Sequence, residues 1–150
     1  MKILILEDNR DRIAAFQSVV AELPGCELVV WRNAPGMIKE LSLHLPSASL
    51  ISLDHDLVQD AGDPDPGDGL QVAEAIATYT PTCPIILHST NVDLVYSMIR
   101  ELADGGWIPL RVAPVGMGEN WILSTWLPKV KSLLATATVQ TPDAHSGPVS

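Results

Sequence analysis

A doubly wound α/β sandwich is the fold this sequence predicts, on three observations. Short apolar runs alternate along the chain with stretches of helical periodicity. Three of the runs end in polar clusters: Ile3-Leu4-Ile5-Leu6 enters Glu7-Asp8, Leu50-Ile51-Ser52-Leu53 enters Asp54-His55-Asp56, and Ile85-Ile86-Leu87 enters His88-Ser89. The last run contains Pro109, which suits an edge strand and not a central one. In open parallel sheets the ligand crevice lies at the carboxyl ends of the strands. The pattern that predicts the fold therefore also predicts a site.

Each element has its own warrant. Residues 2–6 read as the first strand, and residues 9–22 as a helix with Ile13, Phe16, Val19 and Val20 at helical spacing, capped by Asp8 or Asn9 and stopped by Pro24-Gly25. Leu28 to Trp31 is the second strand; Pro35 to His44 is a helix opened by Asn33 and closed before Pro46. Leu50 to Leu53 is the third strand, and Gly69 to Tyr79 a helix with Leu70, Ala73, Ile76 and Ala77 on one face. Ile85 to Leu87 is the fourth strand, followed by a helix from Val92 to Ala103 capped by Thr90 or Asn91. Ile108 to Val112 is the fifth strand, and the last helix spans roughly Glu119 to Ala135, with Pro128 expected to kink it or split it after Leu127. The parallel order is expected to be 2-1-3-4-5, with helices on both faces. One domain, residues 1–135, is expected, with a polar, disordered tail at 136–150.

Composition excludes several roles. No apolar run approaches the ~18 residues of a membrane span, and Met1-Lys2-Ile3 enters a strand without the build of a signal peptide, so a cytoplasmic location is expected. Eighteen acids against nine bases give a net charge of −9, which repels nucleic acid backbones and anionic membranes and argues against DNA as a partner. Cys26 and Cys83 precede the second and fourth strands, roughly 14 Å apart at sheet spacing, beyond the ~7 Å that a disulfide tolerates. Both are expected to be buried thiols.

Glu7, Asp8 and Asp54 end adjacent strands in the expected order. Converging carboxylates repel unless a cation sits among them, and a hard divalent ion is the usual partner; helix capping is the competing reading of Glu7 and Asp8. His55 and His88 also end adjacent strands, so their rings are expected within reach of one phosphate, as base and acid. Two histidines beside three carboxylates can instead hold zinc or another transition ion. Ser89 and Asn91 precede a helix whose amides favour an anion, and each is also a natural cap. Arg12 either reaches the crevice or pairs with Asp8 at i, i+4 spacing. The acidic loop DHDLVQDAGDPDPGD, from Asp54 to Asp68, is either a solvated mouth or a second cation site.

Across residues 1 to about 135 the chain resembles a response-regulator receiver (CheY-like) domain. Leu6-Glu7-Asp8 is similar to the receiver's acidic pair, Asp54 to its phosphoacceptor, Asp68-Gly69 to the Asp-Gly opening the third helix, and Ser89 to the hydroxyl residue that contacts the phosphoryl group. Ala113-Pro114 falls where receivers carry Lys-Pro. Arg111, two residues earlier on the same strand face, is the expected substitute for the missing charge. The loop after Asp54 is about twice the ordinary length, and the histidine pair has no counterpart in ordinary receivers.

The combination of LED…R, LDHDL, HS-x-N and a late basic residue resembles most closely the cyclic-phosphate-processing receiver group. That resemblance implies a metal, Mg²⁺ by preference, held by Glu7, Asp8, Asp54 and Asp56. It implies phosphate binding by Arg12, Ser89, Asn91 and Arg111, and catalysis by Asp54, His55, His88 and Arg111. The implied partner is a phosphate-containing small molecule or an RNA-end cyclic phosphate, opened by a metal-dependent phosphoesterase. The alternatives are a stand-alone response regulator phosphorylated on Asp54, and a degenerate receiver that only binds a partner. Trp121, Trp126, Val130, Leu133 and Leu134 make the last helix strongly apolar, for core packing or for a homodimer or partner face.

Overall fold

The computed structural model describes the backbone of residues 1–140 and the side chains of residues 1–137. Strands β1 (Lys2–Leu6), β2 (Glu27–Trp31), β3 (Leu50–Leu53), β4 (Ile85–Leu87) and β5 (Pro109–Arg111) form one sheet in the order β2-β1-β3-β4-β5. Every neighbouring pair is parallel. The order is the expected one, and it puts Pro109 on an edge strand, where its missing N–H leaves no central ladder incomplete. Helices α1 (Arg10–Ala21), α2 (Ala34–His44), α3 (Gly69–Ile76), α4 (Val92–Asp104) and α5 (Leu127–Gln140) cover the two faces.

Strand alternation divides the core in two. Leu4, Leu6, Ile51, Leu53, Ile85 and Leu87 face α2, α3 and α4, packing with Met37, Leu41, Val72, Ile76, Val95 and Met98. Ile3, Ile5, Leu50 and Ile86 face the other way, onto Phe16 and Val20 of α1 and onto Trp121, Trp126, Val130 and Leu134. The last helical segment is therefore core, with Leu123 its one exposed large apolar side chain among the described residues. Ser52 is the one polar residue within β3, and it is fully buried on the α1/α5 side. Cys26 and Cys83 are free thiols as expected, but half-buried and not buried. Among the described residues, no helix is long and apolar enough to cross a membrane.

Caps settle where several helices begin. Asn9, and not Asp8, accepts from the Arg12 amide at 3.0 Å; Asn33 accepts from Gly36 and Asn91 from Leu94. Asp68 and Gln71 form a reciprocal capping box at the start of α3, which stops at Ile76, short of the expected Tyr79.

The last helix departs from expectation in two ways. A π-helical turn, Ile122–Trp126, runs without a break into α5, so the expected split after Leu127 is not found; the irregularity lies just before Pro128, with the Leu127 amide reaching back five residues to the Ile122 carbonyl. Helix α5 then continues to Gln140, beyond the expected helix end at Ala135; the rest of the expected tail, 141–150, lies outside the described residues.

One glycine ties the fold to the strand ends. A Cβ on Gly69 would stand 2.0 Å from the Asp54 carbonyl oxygen and 2.8 Å from His55 Cα, while the Gly69 amide donates to the His55 carbonyl at 2.9 Å. The first turn of α3 thus lies directly on the backbone that carries Asp54 and His55. Gly69→Ala is expected to destabilise the protein by about 1–3 kcal/mol, the usual cost of forced overpacking, measured as a lower midpoint in urea denaturation.

Candidate functional site

Strand register decides which polar residues meet. Leu6 pairs with Leu53, and Leu53 with Leu87. One residue further, Glu7, Asp54 and His88 stand in a row across three adjacent strands, all on the α1/α5 face. Ligand-type atoms of these three lie within 4.8 Å of one another. His55 is the next residue after Asp54, so its side chain turns to the other face, beside the start of α3. The expectation that both histidines reach one phosphate is therefore corrected, and neither ring lines the cavity described below.

Glu7 and His88 are fully buried, and Asp54 is 5% exposed. Glu7 Oε2 accepts the amides of Asp8 and Asn9, at 3.1 and 3.2 Å. Glu7 Oε1 lies 3.3 Å from His88 Nε2, yet neither atom is aligned for a hydrogen bond. Arg12 Nη1 stands 3.6 Å from Glu7 Oε1 and 3.7 Å from Asp54 Oδ2, with its guanidinium 5.5 Å from the Trp121 ring centre. Arg12 therefore reaches the crevice and does not pair with Asp8. It supplies the positive charge in the acid cluster, and Ala113 leaves the usual lysine place without one.

Two buried carboxylates with one guanidinium do not both ionise freely. Burial pushes the Asp54 carboxyl up to about 8, and the Glu7 charge adds to it, against the His55 amide and Arg12. Burial would raise Glu7 as well, but His88, the Asn9 amide and Arg12 together outweigh it and hold Glu7 below its ordinary value. The two shifts run in opposite directions, so Glu7 is the first of the pair to ionise and Asp54 the last to lose its proton.

Above this cluster opens a cavity of about 310 Å³. Glu7, Asp54 and Arg12 form its floor, Ser89 and Thr90 one wall, and Asp8, Asn9 and Arg32 another; Asp56, Val58 and Asp60 of the long loop close the third. Asp8 serves the loop: its carboxylate accepts from the Val58 amide, while the Ala34 amide holds Pro66 at 2.7 Å. Arg32 donates to the Asp8 carbonyl at 3.0 Å. The long loop is thus pinned over the strand ends as a wall of the cavity, and is not merely a solvated mouth.

The remaining expected residues fall in different places. Asp56 lines the cavity and accepts from, or shares a proton with, His55 Nδ1 at 2.7 Å; the other His55 nitrogen is buried and lacks a hydrogen-bond partner. Ser89 Oγ accepts from the Asn91 amide at 3.1 Å, and Asn91 itself is the cap of α4 and does not line the cavity. Arg111 is exposed and donates to the Ser89 carbonyl at 3.2 Å, so it supports the wall from behind and does not line the cavity where the lysine charge would stand. Of the four expected metal ligands, Glu7 and Asp54 belong to the close cluster; Asp8 and Asp56 line the cavity but stand outside it, and His88 takes a place in it.

Sequence reasoning missed Arg32, and it placed the loop carrying Val58 and Asp60 at the mouth of the site without giving either residue a place in its wall. It also missed Ser52. The Ser52 hydroxyl lies 2.6 Å from His88 Nδ1 and accepts from Trp126 Nε1 at 3.0 Å, and the signal for it was a lone hydroxyl inside an otherwise apolar strand.

The family model described as "Cyclic-phosphate processing Receiver domain" matches residues 2–104. No curated protein sequence matches the chain. Among solved structures, the chain is similar to the signal receiver domain of an HD domain-containing protein from Pseudomonas fluorescens Pf-5, with a TM-score of 0.66 and 18% identity over 90% of this chain and 94% of that one. It is similar to the response regulator domain of Thermotoga maritima CheB, with a TM-score of 0.65 and 12% identity over 90% and 96%. A two-component response regulator from Clostridium difficile gives 0.63 and 23% over the same shares. Against the RcsB response regulator of Salmonella typhimurium the TM-score is 0.61 at 17% identity; 91% of this chain is covered but only 60% of that one. At such identities these likenesses show the fold.

The proton held by the acid pair has a measurable consequence. Between the ordinary aspartate value and about 8, the folded protein carries a proton on Asp54 that the unfolded chain has lost, so stability falls as pH rises through that window. In metal-free buffer the denaturation midpoint is expected to drop from about pH 5 to about pH 8, and Asp54→Asn is expected to flatten that slope. Identical slopes in the two proteins would show that Asp54 does not hold the proton.

Proposed function

Because this chain belongs to the family of cyclic-phosphate processing receiver domains, we propose that its cavity binds a divalent cation together with a phosphate group and opens a cyclic phosphodiester. The observation that carries the reading is the buried Glu7–Asp54 pair at the cavity floor: two carboxylates share one guanidinium and leave Glu7 Oε1 without a hydrogen bond. A buried carboxylate oxygen held by ion pairs at 3.3 and 3.6 Å but by no hydrogen bond is incompletely compensated, and an added cation completes that compensation. The residues present fit such an ion, Mg²⁺ included. When bound, it would neutralise charge on the phosphoryl oxygens and favour hydroxide over water.

The chain's own groups divide the remaining work. Ser89 and Thr90 border the place for the phosphoryl oxygens, at the start of α4, where free amides favour an anion. Arg12 and Arg32 bring positive charge to the floor and the opposite wall. Asp56 faces the cavity with its other side against His55, so it is placed to take a proton from an attacking water, with His55 as a positioning residue. In the reaction the water oxygen bonds to phosphorus as one ring P–O bond breaks. One water proton goes to Asp56, which returns it to the departing alkoxide, so the step closes without a proton from the cation-binding carboxylates. His88 acts from below, through Glu7, without touching the substrate. Arg111 acts through the Ser89 carbonyl.

The competing role is that of a phosphoacceptor regulator modified on Asp54. The missing lysine at Ala113, and Arg12 already lying 3.7 Å from Asp54 Oδ2, favour the first reading. Hydrolysis of 2′,3′-cyclic nucleotides with Mg²⁺, Mn²⁺ or Zn²⁺ is the direct test. Asp56→Ala is expected to slow it by about 10²–10⁴-fold, the usual contribution of a general base. Equal rates in wild type and Asp56→Ala would sink this assignment of roles, and a stable aspartyl phosphate on Asp54 after acetyl phosphate and Mg²⁺ would favour the regulator instead.

A further inference from the structure

His88 is a full member of the acid cluster and is built unlike a core histidine. Its ring is fully buried between Phe16 and Trp121, with centroids at 5.3 and 5.8 Å, so its orientation is fixed. Nδ1 is held by Ser52 at 2.6 Å, and Ser52 is held in turn by Trp126 Nε1 at 3.0 Å. The other nitrogen, Nε2, points at the carboxylates and has no hydrogen-bond partner, and the same is true of Glu7 Oε1. These two atoms stand 3.3 Å apart without being aligned on each other. That separation is the one two ligands of a tetrahedral ion would have, since bonds of about 2.0–2.1 Å put neighbouring ligands about 3.3–3.4 Å apart. Two buried atoms 3.3 Å apart, neither satisfied by a hydrogen bond to the other, mark a place for a third atom that pairs with both.

Resting on the reading that this cavity holds a cation, we infer that the ion is of the zinc class and that His88 Nε2 binds it directly, with Glu7 and Asp54 as the oxygen ligands. Mg²⁺ takes oxygen ligands in near-octahedral geometry, whereas imidazole suits Zn²⁺ and its neighbours in the transition series. All three ligand atoms lie within 4.8 Å of one another, and a modest contraction closes the set. A histidine that ligates through one nitrogen is typically oriented at the other by an outer partner. Ser52 meets that requirement. A hydroxyl both donates and accepts, so it can serve Nδ1 with or without a hydrogen and lets Nε2 present its lone pair. Arg12, now 3.6–3.7 Å from two of the three ligand atoms, is the group that gives way when the ion enters. Cavity-facing positions then remain for water or a phosphoryl oxygen.

Calorimetric titration of the full chain with ZnCl₂ and MgCl₂, in wild type, His88→Gln and Ser52→Ala, tests this. Zn²⁺ is expected to bind wild type at least about 100-fold more tightly than Mg²⁺. His88→Gln is expected to lose at least the ~100-fold that marks the upper end for outer partners, and Ser52→Ala about tenfold, with Mg²⁺ affinity changed little. The same ion added to unmutated, ¹⁵N-labelled protein is expected to shift the His88 Nε2 resonance and leave a hydrogen on Nδ1, a readout independent of whether any variant folds. If the His88 resonances stay in place, or His88→Gln binds Zn²⁺ as wild type does, His88 is not a ligand while the cation reading stands. If wild type binds neither ion, both fall.

Discussion

Burial of the Glu7 carboxylate is the constraint on which the rest of this structure depends. β1 is a central strand, apolar on both faces, and Glu7 is the first residue beyond it, still inside the protein. A charge in that position costs several kcal/mol unless it is compensated. Two backbone amides, a guanidinium and an imidazole gather around it. Asp54, brought alongside by the β1–β3 register, is denied the same compensation and keeps its proton. Position within the sheet thus pushes the acidities of two chemically alike side chains in opposite directions.

The compensation reaches deep into the α1/α5 layer. From Glu7 a line of polar contacts runs through His88 and Ser52 to Trp126. Trp126 closes the π-helical turn ahead of α5, so the irregular stretch of backbone and the buried polar line meet at one residue. A polar line inside a core lowers stability when any member is left without a partner, and here two facing atoms are. That is the physical ground for reading the line as support for a ligand and not as packing. The opposite layer holds the second histidine. Gly69 seats α3 against His55, and His55 in turn steadies Asp56 at the cavity edge. Each layer therefore sends one histidine toward the site, from opposite sides of the sheet: His88 joins the Glu7–Asp54 cluster, and His55 reaches it only through Asp56.

The long loop after β3 has a comparable double role. Asp8, which reads in the sequence as half of an acidic pair, spends its carboxylate on the Val58 amide. The loop is then a wall of the cavity, and its Asp60 adds negative charge where Arg32 adds positive. The place left vacant by the lysine at Ala113 is filled from α1, by Arg12, and not from β5, by Arg111.

The sheet order, the two apolar layers and the gathering of Glu7, Asp54 and Ser89 at the strand ends were legible without coordinates. They follow from the alternation of short apolar runs with helical periods and from Pro109, all local signals. That Arg12 lies near the crevice was legible only as one of two options, because a helix periodicity places a side chain on a face without saying how far it reaches. The partnership of His88 with Glu7 and the exclusion of His55 were not legible. The partnership depends on Leu53 pairing with Leu87, whereas the exclusion comes from alternation along β3, which turns His55 away from Asp54. Sequence by itself determined which residues sit at the strand ends. Register, which exists only between strands, decided which of them face each other.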